Sequence, residues 1–195
     1  GVGYGTTPEL VDFWATNGYR PVHLSNTRND TSGEYSALML NPTSETGRDL
    51  ADRHTDQFLA RIGGVLGDPL TDADTDVVRP LISAAGCSFD PDLADWEWRH
   101  VASAAFGPGL FDMAPDIYRR LAVAYFASGE PDLLTDRQER LLVMKPLQGR
   151  SWDAVAEELD YESTAESMRA LGDAFEPLVD EFGTSAAIQE ADRYR

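Results

Sequence analysis

Five groups of residues in this chain have the types that carry chemistry, and their spacing decides what each could do. Gly1, Gly3 and Gly5 alternate as in a phosphate-cradling loop, but the third glycine is misplaced for a dinucleotide fingerprint and Pro8 already opens a helix. His23, His54 and His100 are single and widely spread, and neither with one another nor with Cys87 do they give a metal-ligand spacing. Asp72, Asp74 and Asp76 alternate like the start of a calcium loop, without the glycine and the terminal glutamate that such a loop needs; helix capping and an acidic surface account for them. No Ser-His-Asp arrangement can be assigned, so the sequence leaves any catalytic residue unknown. The fifth group is basic: Arg119, Arg120, Arg137, Arg140, Lys145 and Arg150 are the one cationic cluster along the second half. It reads either as a polyanion contact or as ion-pair partners for the neighbouring acids.

The elements that must position these residues divide the chain. Thr7 suits a helix N-cap and Pro8 the first helical position. Leu10, Phe13 and Trp14, one turn apart, predict one apolar face, and Gly18 fits the left-handed position beyond the helix end. Tyr19 to Leu24 and Tyr35 to Leu40 read as strands around a polar loop from Ser25 to Glu34. Asn41-Pro42-Thr43-Ser44 is a breaker, and beyond it strand signals vanish. Helices are predicted over Asp49–Ile62, ended by Gly63-Gly64; over Asp72–Ala85, with Pro80 inside; from Asp90-Pro91 to Phe106; and over Pro115–Phe126, broken at Gly129-Glu130-Pro131. Thr135, Ser151 and Thr164 then open three further helices. The fold class is α+β, mainly α, with domains expected at 1–43 and 44–195.

Composition bounds the rest. Thirty-four acidic residues against sixteen basic ones give a net charge of −18, and Lys145 is the only lysine. With 42% hydrophobic residues there is enough to bury, so the charge does not signal disorder. Its expected meaning is adaptation to a very salty cytoplasm, where surplus carboxylates keep the surface hydrated. Neither a signal-peptide pattern nor an apolar run of about eighteen residues is present, and the single Cys87 makes no internal disulfide; it reads as a small hydrophobe.

Phe13-Trp14-Ala15-Thr16-Asn17-Gly18-Tyr19 resembles the closing helix and strand of GNAT acetyltransferases. The longer string is more specific. Gly1-Val2-Gly3-Tyr4-Gly5-Thr6-Thr7-Pro8-Glu9-Leu10-Val11-Asp12-Phe13-Trp14, then Thr27-Arg28-Asn29-Asp30 and Ser32-Gly33-Glu34-Tyr35-Ser36-Ala37, is similar to the RNA cytidine acetyltransferases, which make N4-acetylcytidine in tRNA and rRNA. The resemblance covers about the first fifth of the chain. It implies the C-terminal half of a GNAT α/β domain followed by an all-α helical tail that contacts RNA. It also implies acetyl-CoA as cofactor, ATP bound by an upstream part of the same polypeptide, and tRNA, with rRNA as the alternative, as partner. Cofactor contact falls on Glu9 and on Thr16, where many members carry a basic residue; Thr16 can hydrogen-bond but cannot neutralise phosphate. Glu9 reads equally as a first-turn carboxylate favoured by the helix dipole. RNA contact falls on Arg119, Arg120, Arg137 and Arg140, and this stretch by itself is expected to be inactive.

The helices at 135–182 also resemble a helix-turn-helix of the kind in region four of bacterial sigma factors. The polar positions on and just before its last helix, Glu162, Glu166, Arg169 and Asp173, are mostly acidic, whereas a DNA reader needs several donors. Two alternatives to the RNA acetyltransferase therefore stand: a GNAT enzyme acting on a protein or small amine, and a helix-turn-helix nucleic-acid binder.

Overall fold

The computed structural model describes residues 1–129 and 133–195; the break expected at Gly129-Glu130-Pro131 lies partly outside them. Strand β1 (Val2–Gly5) runs into helix α1 (Pro8–Thr16). Strands β2 (Arg20–Arg28) and β3 (Tyr35–Leu40) follow, and β3 inserts between the other two, antiparallel to both, in the order β1-β3-β2. Val2 faces Met39 and Tyr4 faces Ala37, while Leu24 faces Ala37 from the other side. Alternation thus buries Tyr35, Ala37 and Met39 and turns Leu38 outward. The start of α1 is as its sequence dictates: the Thr7 hydroxyl accepts from the Leu10 amide at 3.4 Å, with Pro8 behind it. Gly18 takes φ +79°, the conformation that lets the chain turn back into β2.

Helix α2 (Glu45–Leu66) is longer than expected at both ends. Ser44 caps it, accepting from the Gly47 amide, and it runs through Gly63-Gly64 instead of stopping there. Two glycines cost about 1 kcal/mol each in a helix, a deficit that burial of Phe58, Leu59, Ile62 and Leu66 outweighs. Leu50, away from that buried face, is exposed. In α3 (Thr75–Ser83), Asp74 is the cap and Pro80 lies within the helix.

The described chain forms two compact units, the first being residues 1–89 and 126–129 and the second the remainder. Because α2 packs on β2 and α3 on α1, the strand-to-helix change near Thr43 does not separate the units.

In the second unit α4 (Asp95–Phe106) begins later than Asp90-Pro91 predicts. The Asp90 carboxylate accepts from the Asp92 amide, which makes a turn, and Glu97 instead reaches back to the Ala94 amide at 2.8 Å. Helix α5 (Pro115–Ser128) and α6 (Asp136–Leu142) follow, the latter capped by Thr135 with Gln138 completing the box. A π-helical turn at Val143–Leu147 accommodates Pro146. Helices α7 (Trp152–Glu158), α8 (Thr164–Phe182) and α9 (Ser185–Ala191) close the unit. Ser163 rather than Thr164 caps α8, and α9 was not foreseen. Helices α8 and α9 both pack on α4, and a Cβ at Gly172 would sit 3.0 Å from the Ala104 carbonyl, so that close crossing needs glycine. Tyr118 and Phe175 stack edge-on in the core, with centroids 5.0 Å apart.

Candidate functional site

The outer surface of β1 and α1 is the first place to look. The expected inward face of α1 is not Leu10, Phe13 and Trp14: Val11 is fully buried, whereas Leu10 is 40% and Phe13 53% exposed. Trp14 packs instead into an aromatic cluster with Tyr4, Phe13 and Tyr19, with centroids 4.9 to 6.2 Å apart. Burial pushes the Tyr4 hydroxyl up to about 12, and it donates to the Met39 sulfur. Glu9 and Thr16, seven residues apart, lie about two turns along one exposed ridge with Phe13 between them. The Glu9 carboxyl is held below the usual range by its own backbone amide and the Thr7 hydroxyl. This ridge is compatible with a long ligand: one carboxylate, one hydroxyl and an aromatic surface, beside a strand whose one neighbour among the described residues is β3. It has no cation, so it carries nothing to neutralise a phosphate.

The second place was not visible in sequence. A cleft of about 480 Å³ lies at the start of α1, lined by Thr6, Thr7, Arg28, Glu34, Tyr35 and Asp72 among others. At its floor the Tyr35 hydroxyl donates to Asp72 Oδ1 at 2.6 Å, and Arg28 Nη2 donates to Asp72 Oδ2 at 3.0 Å. Arg28 also donates to the Gly33 carbonyl at 2.6 Å and lies 4.6 Å over the Tyr35 ring. The Thr6 hydroxyl donates to the Tyr35 carbonyl. Tyr35 and then Arg28 hold the Asp72 carboxyl below its ordinary value, while burial and then Asp72 raise Tyr35. The family-like strings around Arg28 and Tyr35 are the available signal; Asp72, 37 residues further on, stands out in sequence only as one of three alternating aspartates, with nothing to tie it to Tyr35.

That geometry also disposes of the alternating aspartates. Asp72 serves Tyr35 and Arg28, Asp74 caps α3, and Asp76 pairs with Arg79 at 2.6 Å. Among the described residues no cluster of potential metal ligands occurs. Cys87 is half-buried and its thiol is raised by burial and then by Asp56.

The four tail arginines are committed inside the protein to different degrees. Arg120 is a clamp: it donates to the Pro91 and Asp92 carbonyls and pairs with buried Glu97 and with Asp116. Arg137 donates to the Leu159 and Asp160 carbonyls and stacks 3.9 Å over Tyr161. Arg119 uses only Nε, toward the Pro146 carbonyl. Arg140 is half-buried with interactions of its own. Lys145 donates to the Arg150 carbonyl and sits 4.5 Å over Trp152. On α8 the exposed polar positions are Arg169, Asp173, Asp180 and Glu181, with Glu166 half-buried, so the helix offers a DNA groove one cation.

Residues 1–44 match the family model described as GNAT acetyltransferase 2. The whole chain is 58% identical to a tRNA(Met) cytidine acetyltransferase TmcA of Haloferax volcanii and 45% identical to the protein of that name from Haloarcula marismortui. It covers 26% and 25% of those proteins. A third such protein, from Methanopyrus kandleri, is 34% identical over 97% of this chain, which covers 23% of it. The chain therefore spans about a quarter of the length of these relatives. Among the described residues no helix is long and apolar enough to cross a membrane.

Proposed function

We propose that this polypeptide, similar over its whole length to tRNA(Met) cytidine acetyltransferases, is the C-terminal portion of an enzyme that forms N4-acetylcytidine in tRNA. The observation that carries this reading is similarity at up to 58% identity along all 195 residues, helical tail included. A GNAT enzyme of unrelated specificity would share the first 44 residues only. Acetyl-CoA, when bound, supplies a thioester whose carbonyl carbon is attacked by the cytidine N4 amine, forming the amide as the thiol leaves. ATP is assigned to other parts of the same polypeptide, and rRNA remains a further candidate substrate.

The work of this chain's residues in that scheme is positioning. Strand β1 presents one edge to the cofactor, and α1 lays Glu9 and Thr16 along it. The Arg28–Tyr35–Asp72 set fixes the β2–β3 turn beside the start of α1, keeping the cleft open to the acceptor base. Arg119 and Arg140 stay in the proposal as tail contacts to RNA. Arg120 and Arg137 enter it as residues that fix their loops, since each already donates to two backbone carbonyls. The carboxylate surplus belongs to a salt-adapted cytoplasmic protein, and its melting temperature should rise across a potassium chloride series as repulsion is screened.

The test uses the complete enzyme with acetyl-CoA, ATP and tRNA, followed by nucleoside mass spectrometry. N4-acetylcytidine above a no-enzyme control is expected. Acetylation of a polyamine or peptide with RNA untouched would sink the reading. Glu9→Gln should raise the acetyl-CoA KM without changing tRNA affinity; an unchanged KM would leave Glu9 as a first-turn carboxylate only.

A further inference from the structure

In a protein of net charge −18 most cations are absorbed internally, so those left uncompensated carry information. Among the described residues five arginines have no carboxylate or carbonyl partner: Arg48, Arg53, Arg61, Arg99 and Arg169. Three of the five lie on α2.

Apart from Arg48, which lies beside Asp52 at the acidic flank, the exposed surface of α2 is segregated by charge. At 100° per residue, Glu45, Asp49, Asp52 and Asp56 fall within an arc of about 60° on one flank. Asp52 there is paired with Arg20. On the other flank Arg53, Leu50, Gln57, Arg61 and His54 fill an arc of about 100° without a carboxylate, and all five are exposed. Arg53 and Arg61 stand about 12 Å apart along the axis.

Arg61 is oriented by a group that leaves its charge intact. Its Nη2 contacts His23 Nδ1 of β2 at 3.1 Å. Burial, and then Arg61 itself, lowers the His23 pKa, so the ring accepts this bond as a neutral imidazole. Arg20, Arg28, Arg79 and Arg120 are each neutralised by an aspartate or glutamate; Arg61 is held and stays positive. A cation fixed in direction and left uncompensated, beside a second exposed arginine and amide and imidazole donors, suits a chain of phosphates. It does not suit an acidic helix that needs a closed ion-pair network.

We propose that the Arg53–Gln57–Arg61 flank of α2, with His54 and the His23-held geometry of Arg61, is a phosphate-contacting surface for the tRNA substrate. The inference rests on the reading of the chain as part of a tRNA acetyltransferase and adds a contact in the first unit, separate from the tail arginines. Bidentate guanidinium contacts to backbone phosphate position RNA without reading its sequence.

The experiment measures tRNA binding by the complete enzyme across a potassium chloride series, with acetyl-CoA affinity and thermal melting as controls. R53Q/R61Q should weaken tRNA about tenfold at the lowest salt and reduce the slope of log K against log salt by about 1.4 to 1.8, two phosphate contacts' worth. R53K/R61K, which keeps the charges, should retain most of that slope. R99Q/R169Q, which removes two equally uncompensated charges from the second unit, should change the slope by less than half as much. If R53Q/R61Q binds like the unsubstituted enzyme, or weakens no more than R99Q/R169Q, the α2 surface is overturned and the function stands. If the unsubstituted enzyme binds no tRNA at any salt, the function itself falls and the surface with it.

Discussion

The two units divide their arginines in different proportions: the second leaves only Arg99 and Arg169 of its described arginines without a carboxylate or carbonyl partner, the first Arg48, Arg53 and Arg61. In the second, cations are cement: Arg120 ties the Pro91–Asp92 turn to Glu97, Arg137 closes the end of α7 against Tyr161, and Arg150 pairs with Glu158. In the first, Arg20 and Arg28 do the same for β2, but Arg53 and Arg61 are left facing water. In the second unit Tyr118 is in ring contact with both Phe111 and Phe175. A basic cluster in sequence therefore says little about a surface. In an acidic protein the arginines nearest one another in the chain are those most readily recruited to hold it together.

Four substitutions test that contrast, from the most damaging to the least. Phe175→Ala, in the second core, should cost about 3–5 kcal/mol and lower the melting temperature by the largest margin. A loss of under about 1 kcal/mol would mean that this core is not the unit's foundation. Arg120→Ala should follow at about 3 kcal/mol, because it strands a carboxylate, Glu97, whose side chain is only 11% exposed. The double variant R120A/E97A should recover part of that loss; no recovery would show that the clamp acts through the loop carbonyls alone. Asp72→Asn, in the first unit, should cost about 1 kcal/mol, since its partners Arg28 and Tyr35 remain near water. It should also remove acid sensitivity: the depressed Asp72 stabilises the fold above its unfolded value near 3.9, and that contribution is lost as pH falls through the folded value. His23→Gln should have the smallest effect near neutrality. With the folded pKa lowered, the unfolded chain binds a proton below about 6.5 that the fold refuses. Wild-type stability should then decline as pH drops below that value and level off beneath the folded one; the variant should be flatter over the same range. Equal slopes in urea melts at pH 5.5 and 7.5 would remove His23 from the account.

What the sequence made legible was local. Thr7, Thr135 and Ser151 announce helix starts through hydroxyls that need only their own next turn, and β3 emerges with its predicted ends, whereas Ser44 reads as part of a breaker yet caps α2. Where a neighbour distant in sequence decides, the reading changes. Gly63-Gly64 reads as a stop until packing carries the helix through it, and Asp90-Pro91 reads as a start until a turn claims the Asp90 carboxylate. Leu10 and Phe13 look like core because spacing shows which residues share a face, not which face is covered. The site follows the same rule. Glu9 and Thr16 do share a ridge, as their spacing requires, but Tyr35 meets Asp72 only in the folded chain. Nothing in α2's composition marked its division into acidic and basic flanks until the helix phase was known.

The glycine pair inside α2 has a kinetic side. A Cβ at Gly64 would meet nothing within 4 Å, so alanine there should add about 0.5–1 kcal/mol to the helix without repacking. The helix therefore carries a removable looseness in its final turns, immediately past Arg61. Its last amides should open to solvent more often than those around Phe58, and hydrogen exchange should report a gradient of protection along a single unbroken helix. The guanidinium of Arg61, rooted next to that seam, takes its direction from His23 on β2 and not from the helix end alone.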